Sequence, residues 1–130
     1  MIETPVSYLL DTHVAIWLSS DIGRVPQAVL DILEDFETTV YLSTVCFWEL
    51  AIKQGLGKID ADIRLDRIDE RHGIRELTIS SKYTATVKAL PRLHGDPFDR
   101  MMVAQAMVER MVLVTSDRAL AEYPVAVLHV

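Results

Sequence analysis

The chain has 130 residues, half of them hydrophobic and a quarter charged, a balance that suits one domain over residues 1–130 and excludes a disordered chain. It carries 13 Lys and Arg against 19 Asp and Glu, a formal charge of −6. That charge excludes attachment to nucleic acid by a broad basic face, unless a cation bridges protein and phosphate. No apolar run approaches the roughly 20 residues of a membrane helix, residues 1–5 lack the basic start of a signal peptide, and the single Cys46 excludes an internal disulfide framework, so a cytoplasmic location with no membrane contact is expected.

In chain order, residues 6–10 read as a short buried strand ending in Asp11, and residues 12–19 as one or two helical turns. A helix follows over 26–35, with Pro26 in its first turn and Val29, Leu30 and Leu33 on one side. Residues 40–42 form the next strand. Ser43 or Thr44 caps a helix that runs to about Gln54 and closes at Gly55. Residues 62–72 are amphipathic and are stopped by Gly73, 74–79 alternate as a strand, and 80–90 form a helix ended by Pro91. A loop over 92–97 leads to a helix over 98–109, a strand at 111–114, a short helix at 118–121 and a last strand at 125–130. Strands alternating with helices predict a parallel sheet covered on both faces. Such sheets bind ligands outside the carboxyl ends of their strands.

Acids gather at those ends. Asp11 closes the first strand, Glu49 lies one to two turns into the helix after the second, Asp99 is in the first turn of the helix after the 92–97 loop, and Asp117 follows the fourth strand. Each has an ordinary explanation. Asp11 and Asp117 can cap the helices after them, Glu49 can pair with Lys53 four residues on, and Asp99 suits a helix N-terminus. Jointly, those explanations require four acids to reach one sheet edge for unrelated reasons. Clustered carboxylates repel one another, and a divalent cation relieves that repulsion. Mg²⁺ and Mn²⁺ favour such oxygen ligands. One ion, or two about 3.5–4 Å apart, can activate water and neutralise a phosphodiester. The same ion answers the charge objection, because an acidic pocket attracts phosphate once it is loaded.

Four segments resemble the PIN-domain family when taken in order: Leu9-Leu10-Asp11-Thr12-His13, Trp48-Glu49-Leu50-Ala51-Ile52-Lys53, Asp96-Pro97-Phe98-Asp99-Arg100 and Leu113-Val114-Thr115-Ser116-Asp117. Within that family the chain is similar to the VapC-type toxins of bacterial toxin–antitoxin pairs. The resemblance implies a Rossmann-like three-layer α/β/α sandwich with a mainly parallel sheet. It also implies a Mg²⁺- or Mn²⁺-dependent endoribonuclease that is the toxin of a type II pair, acting on RNA, held by a cognate antitoxin and commonly homodimeric. Asp11, Glu49, Asp99 and Asp117 fall on the family's catalytic, metal-binding acids. Asp96 stands beside them as a supporting or alternative ligand, and Thr12, Thr115 and Ser116 as auxiliary polar groups.

Lys53 and Arg100 are candidate contacts to RNA phosphates, with Lys58 and Arg92 weaker ones. His13 and His94 flank the acidic segments, and a supporting role is preferred, since a carboxylate Mg²⁺ site needs no imidazole. Trp17 and Trp48 could stack on bases, but their apolar neighbours favour core or subunit packing. Cys46 reads as a buried filler, and the charged run 60–71 as a solvated face.

Two other functions compete. A receiver-like phosphoryl-transfer domain also collects acids at strand ends, but it pairs two acids after an early strand and presents a strand-end Lys. Here Thr12 and His13 follow Asp11, and Thr115-Ser116-Asp117 ends the late strand. A PIN-like interaction module without nuclease activity is opposed by the complete acidic set.

Overall fold

The computed structural model of the chain describes residues 6–68, 72–93 and 95–130, so the readings made for His94 and for positions 69–71 lie outside the described residues. Five strands form one sheet: β1 (Ser7–Leu10), β2 (Thr39–Ser43), β3 (Arg75–Leu77), β4 (Val112–Thr115) and β5 (Val127–His129). Their order is β3-β2-β1-β4-β5, and every neighbouring pair is parallel. Among the described residues five α-helices accompany them: α1 (Thr12–Ser20), α2 (Gln27–Glu34), α3 (Thr44–Gly55), α4 (Thr84–Ala89) and α5 (Pro97–Glu109).

Successive side chains of a strand point to opposite faces of the sheet. Leu9 and Leu10 in β1 are both fully buried, as are Leu113 and Val114 in β4. Both faces of the central strands are therefore covered, as expected of a parallel α/β/α sandwich. Among the described residues no helix is long and apolar enough to cross a membrane.

The chain walks outward from β1 through β2 to β3, then returns to the other side of β1 as β4. Strand order thus reverses between β1 and β4, which opens a crevice at their carboxyl ends. Asp11 sits at its floor, where its N–H donates to the Val114 carbonyl across 2.9 Å.

α5 ends in a Schellman closure. The Met111 N–H donates to the Ala106 carbonyl at 2.9 Å and the Arg110 N–H reaches the Met107 carbonyl at 3.4 Å. Arg110 adopts the left-handed conformation that this closure requires, with φ 57° and ψ 45°. A residue with a Cβ is strained there. Arg110→Gly is therefore expected to stabilise the protein by roughly 0.5–1 kcal/mol, read as a higher urea midpoint with unchanged slope. An unchanged or lower midpoint would show that the Arg110 side chain offsets the backbone strain.

Three segments depart from the predicted elements. Within the predicted segment 62–72, the described residues 62–67 are irregular chain followed by a short 3₁₀ turn, Leu65–Arg67. The Gln54 side-chain amide donates to the carbonyls of Asp60 and Ile63, each at 2.9 Å, and the Asp60 carboxylate accepts the Asp62 N–H at 2.9 Å. These bonds occupy backbone groups of residues 60–63 that a helix would need, while Leu65 and Ile68 are buried in the core and Ile63 packs against it. The strand predicted over 74–79 shrinks to β3, an edge strand paired over three residues. The helix predicted over 80–90 begins as a 3₁₀ turn, Ser81–Tyr83, before α4.

Candidate active site

One cleft at the crevice, about 380 Å³ in volume, is lined by Asp11, Glu49, Asp96, Asp99 and Asp117, together with His13, Trp17, Arg24, Lys53 and Ser116. The fold thus brings together all four acids predicted from the strand ends, and Asp96 with them.

The ordinary roles proposed for these acids are also present. The Asp11 carboxylate caps α1 by accepting the Val14 N–H at 2.9 Å. Asp96 caps α5 through the Phe98 N–H at 2.8 Å and the Asp99 N–H at 3.3 Å, with Pro97 in the first turn where no N–H is needed. Asp117 accepts the Ala119 N–H at 2.9 Å. Capping fixes each carboxylate at a helix start, and these helix starts converge on one cleft. The two readings describe one arrangement.

Two threonines organise the deepest carboxylates. The fully buried Thr115 hydroxyl donates to Asp11 Oδ2 and accepts the Asp117 N–H at 3.0 Å. The acids that follow β1 and β4 are thereby linked through one side chain. Thr12, next to Asp11, donates its hydroxyl to Glu49 Oε1 at 2.6 Å. Glu49 Oε2 receives the ammonium of Lys53. The expected i,i+4 pair therefore exists, but it is not a surface pair, because Glu49 is only 3% exposed. Its burial follows the helical period, since Val45, Cys46, Glu49 and Leu50 form the inner face of α3.

Burial raises the Asp11 carboxyl above its ordinary value, against the opposing pull of the Thr115 hydroxyl, the Val14 N–H and the nearby His13. Its hydrogen bonds only partly replace the lost water, so the site favours a cation close by. Lys53 holds its proton more firmly than usual, chiefly through its bond to Glu49, with help from Asp96 and Asp99. The donor set is all carboxylate oxygen, which suits a hard divalent ion and not a thiolate-seeking metal. Among the described residues, no three acidic, histidine or cysteine side chains already stand around one point as a closed ion cage.

Several other expectations are resolved or corrected here. Arg100 does not line the acidic cleft. Its guanidinium donates to the carbonyls of Pro91 (2.9 Å), Val87 (3.1 Å) and Leu90 (3.4 Å) and to the Tyr123 hydroxyl (3.3 Å). It binds the carbonyls at the end of α4 and so anchors the loop before α5. Trp48 is not a core residue. It is 55% exposed and meets Phe98 edge to face at 5.0 Å between ring centroids. Both rings line a larger, mainly apolar groove with Val45, Ile79, Leu93 and Met101. Trp17 is half-buried at the cleft, with the Arg24 guanidinium 4.9 Å from its ring centroid. The sequence carried no local signal for Arg24, which arrives in a 3₁₀ turn after α1. Cys46 is buried as expected, and burial pushes its thiol up to about 12, which leaves it unreactive.

Comparison with known proteins agrees with this geometry. The family model for the PIN domain matches residues 8–126. Ribonuclease VapC22 of Mycobacterium tuberculosis is 32% identical over 120 residues, spanning 88% of this chain and 90% of its own. The VapBC2 structure from Rickettsia felis, bound to a DNA fragment from its promoter, has a chain that superposes with a TM-score of 0.73 at 16% identity, covering 95% of this chain and 98% of that one. A toxin–antitoxin complex from Klebsiella pneumoniae superposes at 0.63 with 19% identity, covering 93% and 95%. FitAcB from Neisseria gonorrhoeae does so at 0.56 with 24% identity, covering 94% and 96%. These superpositions show a shared fold.

Proposed function

The chain belongs to the PIN-domain family, and from that premise we propose that it is a metal-dependent endoribonuclease, the toxin of a type II toxin–antitoxin pair. Residues 1–130 would form a single such domain. The observation that carries this reading is the convergence of Asp11, Glu49, Asp96, Asp99 and Asp117 on one cleft at the reversal point of a parallel sheet. That the Mycobacterium tuberculosis relative is a ribonuclease supports it.

In this reading Asp11, Glu49, Asp99 and Asp117 hold Mg²⁺ or Mn²⁺, and Asp96 supports them. A bound ion supplies charge neutralisation at the phosphodiester and a water of lowered pKa for in-line attack. The chain's own groups do the rest. The Thr115 hydroxyl fixes the Asp11 carboxylate, and the Thr12 hydroxyl fixes Glu49. The cationic side chains in the cleft, Lys53 and Arg24, are placed to meet phosphate oxygens. The apolar groove of Trp48 and Phe98 adjoins the acids through Pro97 and Asp99 on α5. An antitoxin segment with apolar side chains in that groove could set a basic side chain among the carboxylates, and the toxin–antitoxin assemblies among the structural neighbours support such a partner.

The test is cleavage of a mixed cellular RNA pool by the purified, partner-free chain in Mn²⁺, Mg²⁺ or EDTA. Cleavage in either metal that EDTA abolishes is the expected result. Cleavage that persists in EDTA would overturn the metal reading. Failure to cleave in any condition, together with no ion uptake by calorimetry, would favour the interaction-module alternative.

A further inference from the structure

Both carboxylate oxygens of Glu49 are already occupied within the chain. Oε1 accepts the Thr12 hydroxyl at 2.6 Å, and Oε2 accepts the Lys53 ammonium. A hydroxyl can share an oxygen that also binds an ion, because it brings no net charge. An ammonium cannot do so cheaply, because it carries the same charge sign as the ion and takes the same lone pair. The two partners of Glu49 therefore differ in kind: one orients the carboxylate and the other competes for it.

The surroundings of the pair make this competition strong. The Glu49 side chain is 4% exposed, whereas that of Lys53 is 32% exposed, so the ammonium reaches inward from the rim, one turn along α3. Breaking a pair with a buried carboxylate leaves an uncompensated charge, unlike breaking an exposed pair. Asp96 and Asp99 also attract the ammonium. Arg24, the other basic side chain lining the cleft, is placed over Trp17 and not on Glu49.

We infer that Lys53 is a built-in counter-ion of the metal-free site: its ammonium occupies Glu49 until a divalent ion displaces it, so that the chain sets its own metal affinity below what its carboxylates alone would give. The inference rests on the metal-site reading above and adds a regulator of ion loading within the same cleft. The displaced ammonium stays on α3 at the cleft rim.

The test is calorimetric titration of Mn²⁺ into the purified chain as wild type, Lys53→Met, Lys53→Arg and Arg24→Met. Methionine keeps most of the aliphatic stem of Lys53 and removes the charge. Lys53→Met is expected to bind Mn²⁺ roughly tenfold more tightly than wild type. Lys53→Arg, which retains a cation at the same carboxylate, should return to within about threefold of wild type. Arg24→Met makes the same charge change in the same cleft without touching Glu49, and should tighten binding by less than about threefold. Equal or weaker binding by Lys53→Met, with wild type binding normally, overturns this inference alone. An equal gain in Lys53→Met and Arg24→Met also overturns it, since the effect would then be the general field of the cleft. Absence of Mn²⁺ binding in every protein, including Lys53→Met, overturns the metal-site reading and this inference with it.

Discussion

Asp11→Asn is expected to lower RNA cleavage by at least about 100-fold and to leave the metal-free fold as stable as wild type or more so. The first half follows from charge. A metal ligand in this position contributes several kcal/mol of transition-state stabilisation through the ion it holds, and each 1.4 kcal/mol is about tenfold in rate. The second half follows from the local structure. Asn is as good an N-cap as Asp, so the bond from the Val14 N–H survives the change, and where Asp11 Oδ2 accepted the Thr115 hydroxyl the amide donates to the Thr115 oxygen instead. Asn also carries no charge to be desolvated, and desolvation is the largest influence on the Asp11 carboxyl.

The sign of the pH dependence separates this account from simple misfolding. The folded-state pKa of Asp11 is raised above 3.8, so the fold favours the protonated acid. That favourable contribution is complete below about pH 3.8 and is lost as pH rises through the higher folded value. At neutral pH wild type therefore carries a buried charge that Asp11→Asn lacks. In EDTA, the mutant's melting temperature should match wild type near pH 4 and rise relative to it toward pH 7. Mn²⁺ should then raise wild type by ligand linkage and the mutant much less. Cleavage retained by the mutant, or a melting temperature well below wild type in EDTA at neutral pH, would remove Asp11 from its assigned role.

The centre of this molecule was legible from residue pattern because the signals there are local. Apolar runs ending in Asp11 and in Thr115-Ser116-Asp117 mark the central strands and their carboxyl ends, and parallel α/β topology brings such ends together. The capping roles of Asp11 and Asp117 were legible for the same reason, whereas Asp96, read as a loop residue, proved to cap α5 as well. The burial of Glu49 was also within reach. Positions 45, 46, 49 and 50 share one helical face, and the same spacing leaves Trp48 and Ile52 on the other, where both are exposed. Weighing Trp48 by its immediate neighbours pointed to core or subunit packing; adjacent residues on a helix lie about 100° apart, and its exposure excludes only the core. Arg100 and Arg24 were not legible. Which carbonyls surround Arg100 depends on where the loop before α5 returns, and Arg24 reaches the acids only because the turn after α1 folds back over Trp17. Residues 60–67 are irregular chain and a 3₁₀ turn although their pattern is amphipathic, because Gln54 takes the carbonyls of Asp60 and Ile63. Periodicity reports which side of a segment is apolar, and it carries nothing about such tertiary hydrogen bonds.

Ser43→Ala is expected to cost about 2–4 kcal/mol. Ser43 is fully buried at the junction of β2 and α3. Its hydroxyl oxygen accepts the Val45 N–H at 3.1 Å, capping α3, and its proton goes to Gln105 Oε1 at 2.5 Å. Gln105 is itself fully buried on α5, and its amide nitrogen reaches the Thr78 carbonyl at 3.4 Å. Alanine removes the cap, worth about 1 kcal/mol. It also strands a buried amide oxygen without its donor, worth about 1–3 kcal/mol. The bond matters beyond stability, because α3 carries Glu49 and α5 carries Asp99, and Ser43–Gln105 ties the two helices together beneath the cleft. Ser43→Ala with Gln105→Leu provides the control. Removing both partners of a buried hydrogen bond can be nearly neutral, so the double variant should recover about 1–2 kcal/mol of the loss and leave chiefly the missing cap. Urea denaturation of the four proteins in a double-mutant cycle measures the coupling directly. A coupling near zero would mean that water satisfies Gln105 in the single mutant, and the two helices would then be held by apolar packing alone.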